Sequence, residues 1–136
     1  MAVGYYQGVM LYSLGVKYGI INHVEIVTKI LLSEKLKQMA AATFGNLVKA
    51  VVDVEREIVA VDAELHSDLE ALLLENGSKQ ENLWGINLYP EIPGDEFLEF
   101  DSLINMRPSQ GNRSRGVENE EIHKKIVEIV AERIKR

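Results

Sequence analysis

From residue 47 the chain alternates. Val48, Ala50, Val52 and Val54 fall on one side while Lys49, Asp53 and Glu55 fall mostly on the other, the period-two signature of a half-buried strand. Residues 58–65 are β-branched-rich and read as a second strand. The charged Glu55, Arg56 and Glu57 between the two mark a tight reversal, so the pair is expected to form an antiparallel hairpin. Upstream, residues 26–31 read as a short strand. Leu36, Met39, Ala40 and Phe44 then recur at helical spacing, which predicts a helix over 33–44 with Ser33 as its N-cap and Gly45 as a left-handed stop.

Residues 69–74 have good helix propensity but are short and run into Asn76 and Gly77, a hairpin-turn dipeptide; they are read as a strand. Residues 83–89 read as a strand with Trp84, Ile86 and Leu88 on one face, where Trp84 is expected to be core, and Pro90 ends it. Residues 97–106 give the longest strand signal and the expected central strand. A polar loop over 108–116 follows. Asn119 then caps a last helix whose Ile122, Ile126, Ile129, Val130 and Ile134 form one apolar stripe. Residues 4–22 fit neither period. Glycines at 4, 8, 15 and 19 interleave with tyrosines and aliphatics, so a strand-turn-strand, a helix and a segment docked on a partner all remain open.

Strands bracketed by helices, without strict alternation, point to α+β: an antiparallel sheet of four to five strands with an N-terminal and a C-terminal helix packed on one face, in two layers. Length fits one domain over 26–136 behind an N-terminal extension over 1–25. Hydrophobic residues at 46% and charged residues at 26% supply an ordinary core. No cysteine is present, which removes disulfides, thiolate metal sites and a thiol nucleophile, and makes a reducing cytoplasm the expected compartment. The net charge of −6 argues against bulk nucleic-acid or anionic-lipid binding. The apolar stretch over residues 1–32 is interrupted by Gln7, Lys17, His23, Glu25 and four glycines too early to span a bilayer, and no basic residue precedes it as in a signal peptide. No membrane association is expected.

The candidate chemistry starts in residues 107–116, with three arginines and no acid. Arg107, Ser109, Asn112, Arg113, Ser114 and Arg115 could together hold an anionic ligand or an acidic protein surface, because guanidinium forks, hydroxyls and glycine-flanked amides all suit phosphate or carboxylate. The plain counterpart is pairing of those arginines with nearby carboxylates, among them Glu118, Glu120 and Glu121. Strand parity also places Asp53, Asp62, Asn87, Asp101, Asn105 and Arg107 on the polar side of the sheet, either as an ordinary solvated face or as a site where Asp53 and Asp101 bind Mg²⁺ or Mn²⁺. His66 sits in a turn-like stretch where an imidazole could act as a base or simply cap the next element.

Several stretches match a known pattern: KAVVDVE at 49–55, ELH at 64–66, ALLLENGS at 71–78, LWGINLYP at 83–90, EFDSLIN at 99–105 and RPSQGNRSRG at 107–116. The chain over about 26–134 resembles a prokaryotic family of short proteins filed as a domain of unknown function. The resemblance implies no activity and no catalytic role. Residues 1–25 fall outside it, and translation starting near Val24 would account for that. Three functions follow: a cytoplasmic binding or regulatory module using the arginine loop; a metal-dependent phosphodiester- or phosphate-directed hydrolase using Asp53 and Asp101, with Arg113 steadying charge; and a homo-oligomer whose extension completes a neighbour's sheet. Whether the chain is an enzyme stays open at this stage, and so does any cofactor.

Overall fold

The computed structural model describes side chains from Glu25 to Arg136; before them it describes the backbone of three strands, β1 (Ala2–Tyr6), β2 (Val9–Lys17) and β3 (Ile20–Val27). These pair antiparallel in sequence order. What their side chains do, that of His23 included, and the expected docking of the extension on a second copy lie outside the described residues.

A short β4 (Leu31–Leu32) leads into α1 (Ser33–Ala42). Leu32 takes the N-cap position without a side-chain bond, so Ser33 is the first helical residue and not the cap. The helix closes through Gly45, whose φ of 91° lets its amide return to the Ala40 carbonyl at 2.6 Å. β5 (Val48–Asp53) and β6 (Ile58–Val61) form the expected hairpin. Asp53 ties its turn: Oδ1 accepts from the Glu55 and Arg56 amides, each at 3.0 Å.

Residues 69–74 are helical and not a strand. They lie in α2 (His66–Glu75), which buries Leu69, Leu72 and Leu73 at helical spacing. Those leucines pack with Ile26, Val51, Ile58, Ala60 and Leu83 on one face of the sheet. β5 is therefore buried on both faces, where one had been expected, and the sheet is not limited to helices on one side. Asn76 and Gly77 end the helix in place of a hairpin, with Gly77 at φ 96° and the Asn76 side chain donating to Leu72 O at 2.8 Å.

β7 (Leu83–Leu88) pairs with β5 along its whole length. Trp84, Ile86 and Leu88 share the other apolar cluster with Val48, Ala50, Val52, Leu36 and Met39 of α1, and Ile126, Ile129 and Val130 of α3 (Glu120–Arg133). Asn119 caps α3 as expected, accepting from the Glu121 and Ile122 amides at 2.9 and 3.0 Å. After α3, β9 (Ile134–Lys135) pairs parallel with β4.

The expected central strand over 97–106 does not form. After a 3-10 turn (Gly94–Phe97), only β8 (Leu98–Glu99) pairs, at the sheet edge against β7. Ser102 then caps a second 3-10 turn (Leu103–Asn105), its Oγ accepting from the Ile104 amide at 3.3 Å. The sheet runs β3-β6-β5-β7-β8, five antiparallel strands, and β1 and β2 continue it beyond β3. Among the described residues the fold is α+β with three α-helices.

Candidate functional site: a polar corner beside His66

Lys49 of β5 stands directly across from Asn87 of β7, and Asn87 directly across from Glu99 of β8. The three side chains project from the same sheet face. That face carries Leu83 and α2 at one end, so the row is polar only where α2 begins. His66, the first residue of α2, is buried there and not held in an open turn. Its Nε2 lies 2.8 Å from the Ile86 carbonyl. A carbonyl only accepts, so Nε2 carries the proton, and Nδ1, with no partner among the described residues, is left as an acceptor. Burial pulls the imidazole below its ordinary pKa; the bond to Ile86 opposes this, Lys49 and Arg115 reinforce it, and Asp101 opposes it. His66 is thus a neutral ring within electrostatic reach of two cations and a carboxylate.

His66 comes close because position 85 is glycine. A Cβ at Gly85 would stand 2.5 Å from both Cβ and Oγ of Ser102 and 3.2 Å from Cδ2 of His66. Two neighbours from distant parts of the chain occupy the space of one side chain.

The arginine loop divides. Arg107 is buried, its guanidinium stacked 3.9 Å over the Trp84 ring and donating to the carbonyls of Gln80 and Leu83, each at 2.6 Å. Trp84 is core, 3% exposed. Asn112 is also buried and knits the loop, donating to the carbonyls of Asn105 at 2.7 Å and Gly116 at 2.8 Å and accepting from the Glu118 amide at 2.9 Å. The backbone amides of Arg113 and Ser114 both donate to the Glu118 carboxylate, and these bonds hold its pKa below the usual range. The loop's own carboxylate therefore occupies its amide nest. Ser109 and the Arg113 side chain are exposed on the surface. Arg115 pairs through Nε with Asp101 Oδ1 at 2.5 Å, which draws both into the corner beside His66.

The sheet carboxylates do not converge. Asp53 lies opposite Leu83, whereas the Asp101 carbonyl accepts from Asn87 at 3.2 Å. Leu83 and Asn87 are four residues apart on β7, about 13 Å along a strand. Asp53 has its own task, its Oδ2 taking the Ser78 hydroxyl at 2.6 Å. Asp62 lies beyond the end of β6 at φ 75°, where burial first and the Glu25 charge second push its pKa up to about 6 while Lys35 opposes. Asn105 is fully buried and serves the main chain. Among the described residues no three His, Asp or Glu side chains gather as a metal-binding group.

Over residues 25–133 the chain matches the family described as "Protein of unknown function (DUF5674)". The chain belongs to that family. No curated protein and no solved structure matches it. The family's span takes in every element of the polar corner, from Lys49 to Arg115. Among the described residues no helix is long and apolar enough to cross a membrane.

Sequence reasoning named His66, Asp101 and Arg115 without being able to bring them together, and it passed over Lys49 as one polar position in an alternating strand. The available signal was the shared parity of Lys49 and Asn87, once β5 and β7 are paired. A groove of about 470 Å³ lies apart from this corner, along α3 and β8. Its walls are largely apolar, with Phe97, Leu98, Phe100 and Val127, and His123 stacks on Phe100 at 3.8 Å.

Proposed function

We propose that the protein is a binding module, working in the reducing interior of a cell, that takes an anionic group at the corner formed by Lys49, His66 and Arg115. One observation carries this reading. Lys49 stands across from Asn87, Asn87 donates to the Asp101 carbonyl and Asp101 pairs with Arg115, while Lys49 itself pairs with no carboxylate among the described residues, its ammonium resting 5.4 Å from the Phe44 ring. Arg115 is already paired with Asp101, so the attraction for an incoming anion comes chiefly from Lys49, a cation with no carboxylate partner among the described residues. Arg115 supplies the fork, steadied by Asp101, and the neutral imidazole supplies an acceptor without a competing charge. The arginine loop then serves chiefly to deliver Arg115, with Arg107 and Asn112 as its fasteners. The hydrolase reading would need Asp53 and Asp101 to share an ion, and the strand register separates them.

Isothermal titration with inorganic phosphate tests the reading. Wild type is expected to bind saturably and without turnover, and Lys49→Ala to weaken binding by roughly tenfold, on the order of one charge-assisted contact. An absence of binding to wild type, or an unchanged affinity in Lys49→Ala, would overturn it.

A further inference from the structure

α3 reaches past the sheet that it covers. Its Ile126, Ile129 and Val130 lie on the core, but β8 is only two residues long, so the sheet ends before the helix face does. Between α3 and residues 94–100 this leaves an open groove of about 470 Å³, within the range of small-molecule pockets, roughly 300–1,000 Å³. Its floor is the buried Phe97, Val130 and Ile134, each 4% exposed. Val127 and Ala131, one helical turn apart, stay exposed on its rim. Two flat contacts already form in its lining. His123 lies on Phe100 with ring centroids 3.8 Å apart, and the Arg136 guanidinium lies 4.3 Å from the Phe97 centroid.

We propose that this groove binds a small uncharged heteroaromatic molecule whose edge carries a ring N–H beside a carbonyl. Size argues against a protein partner: eleven residues line the groove, whereas a stable interface engages roughly 20–30 a side. Charge is balanced at the polar end, where Asp95 and Arg136 border the same space, so an ion of either sign gains little. Neither group is spent. Arg136 reaches only the Gly94 carbonyl, at 3.4 Å, and among the described residues no ion pair involves Arg136 or Asp95. A ligand carbonyl would accept from the guanidinium, and the adjacent N–H would donate to the carboxylate. The ring body would lie on the apolar floor. The exposed guanidinium and imidazole, already stacked on Phe97 and Phe100, offer flat surfaces that favour a planar ligand over an aliphatic chain.

The test titrates quinolin-2-one, and quinoline-2-carboxylate as its anionic counterpart, into the full chain and follows the ring protons of His123 and His66 by NMR. Quinolin-2-one is expected to bind saturably with a Kd on the order of 0.1–1 mM, moving the His123 signals and leaving those of His66 in place. The carboxylate should bind roughly fivefold more weakly, since Asp95 repels it. Val127→Glu and Ala131→Glu change exposed rim residues, so both are expected to fold, and each should weaken the probe by about tenfold. Lys49→Ala should alter it less than about twofold, because the corner is a separate site. No saturable binding, a His123 signal that stays put, or unchanged affinity in both glutamate variants would overturn the groove as a site. Tighter binding of the carboxylate would overturn the uncharged class.

Discussion

The side chain of Asn105 pairs with the main chain of Gly85 as a neighbouring strand would: the Gly85 amide donates to Oδ1 at 2.8 Å, and Nδ2 donates to the Gly85 carbonyl at 2.9 Å. Nδ2 also reaches the Arg115 carbonyl at 2.9 Å. One amide thus replaces the strand that β8 does not continue, and it anchors the segment bearing Arg115. Asn105→Asp keeps the acceptor but sets a carboxylate oxygen against two carbonyls in a buried place. It is expected to lower stability by about 3 kcal/mol or more, in the range of a buried polar network broken by charge. Urea denaturation at neutral pH measures this, and a loss below about 1 kcal/mol would show that Asn105 does not anchor the loop.

Gly85 itself is expected to tolerate no side chain. The new methyl of Gly85→Ala would meet Ser102 at 2.5 Å, and overpacking of this kind costs about 1–3 kcal/mol. Adding Ser102→Gly should recover part of the loss. A thermal melt of the single and double variants checks both statements, and a Gly85→Ala variant as stable as wild type would refute the close approach.

The alternating pattern made the β5–β6 hairpin, β7 and the capped α3 legible, because in each the apolar period, the turn residues and the cap agree. It failed where local and tertiary preferences part. Residues 69–74 carry helix propensity next to a turn dipeptide, and what decides between them is the second sheet face of Val51, Ala60 and Leu83, which needs cover. Residues 97–106 alternate well, yet the chain leaves the sheet after Glu99 because Ser102 and Asn105 find partners on Gly85 and on their own turn. The candidate site was legible only as separate residues. Its assembly rests on strand pairing and on one glycine, neither of which a linear pattern specifies.

Arg107 is expected to act as a fastener and not as a ligand contact. Arg107→Met keeps the length and the apolar stem but gives up two hydrogen bonds to carbonyls and the stacking on Trp84. The expected cost is about 2–4 kcal/mol, with phosphate affinity at the corner changed less than twofold at temperatures where the variant is folded. Chemical denaturation and titration with phosphate read the two effects separately. Loss of binding with stability intact would return Arg107 to the ligand site.

Asp62 gives the stability a pH dependence whose sign can be worked out. Its pKa is raised from 3.8 to about 6, burial being the main cause, so the native chain keeps this proton up to about pH 6 while the unfolded chain has lost it by about pH 4. Stability from this group is therefore present at low pH, falls as pH rises between those values, and stays reduced above them. His66 works in the opposite direction: its lowered pKa costs stability as pH falls below the ordinary 6.5. The two partly cancel in a single melting profile, so the informative quantity is a difference. Asp62→Asn leaves His66 in place, removes the carboxylate, and accepts the φ of 75°, since asparagine tolerates the left-handed region. It is expected to be more stable than wild type at pH 8, with the gap closing as pH falls below about 6 and vanishing near pH 4. Paired denaturation curves across that range measure the gap, and one that widens toward acid would show that Asp62 is held ionised in the folded chain.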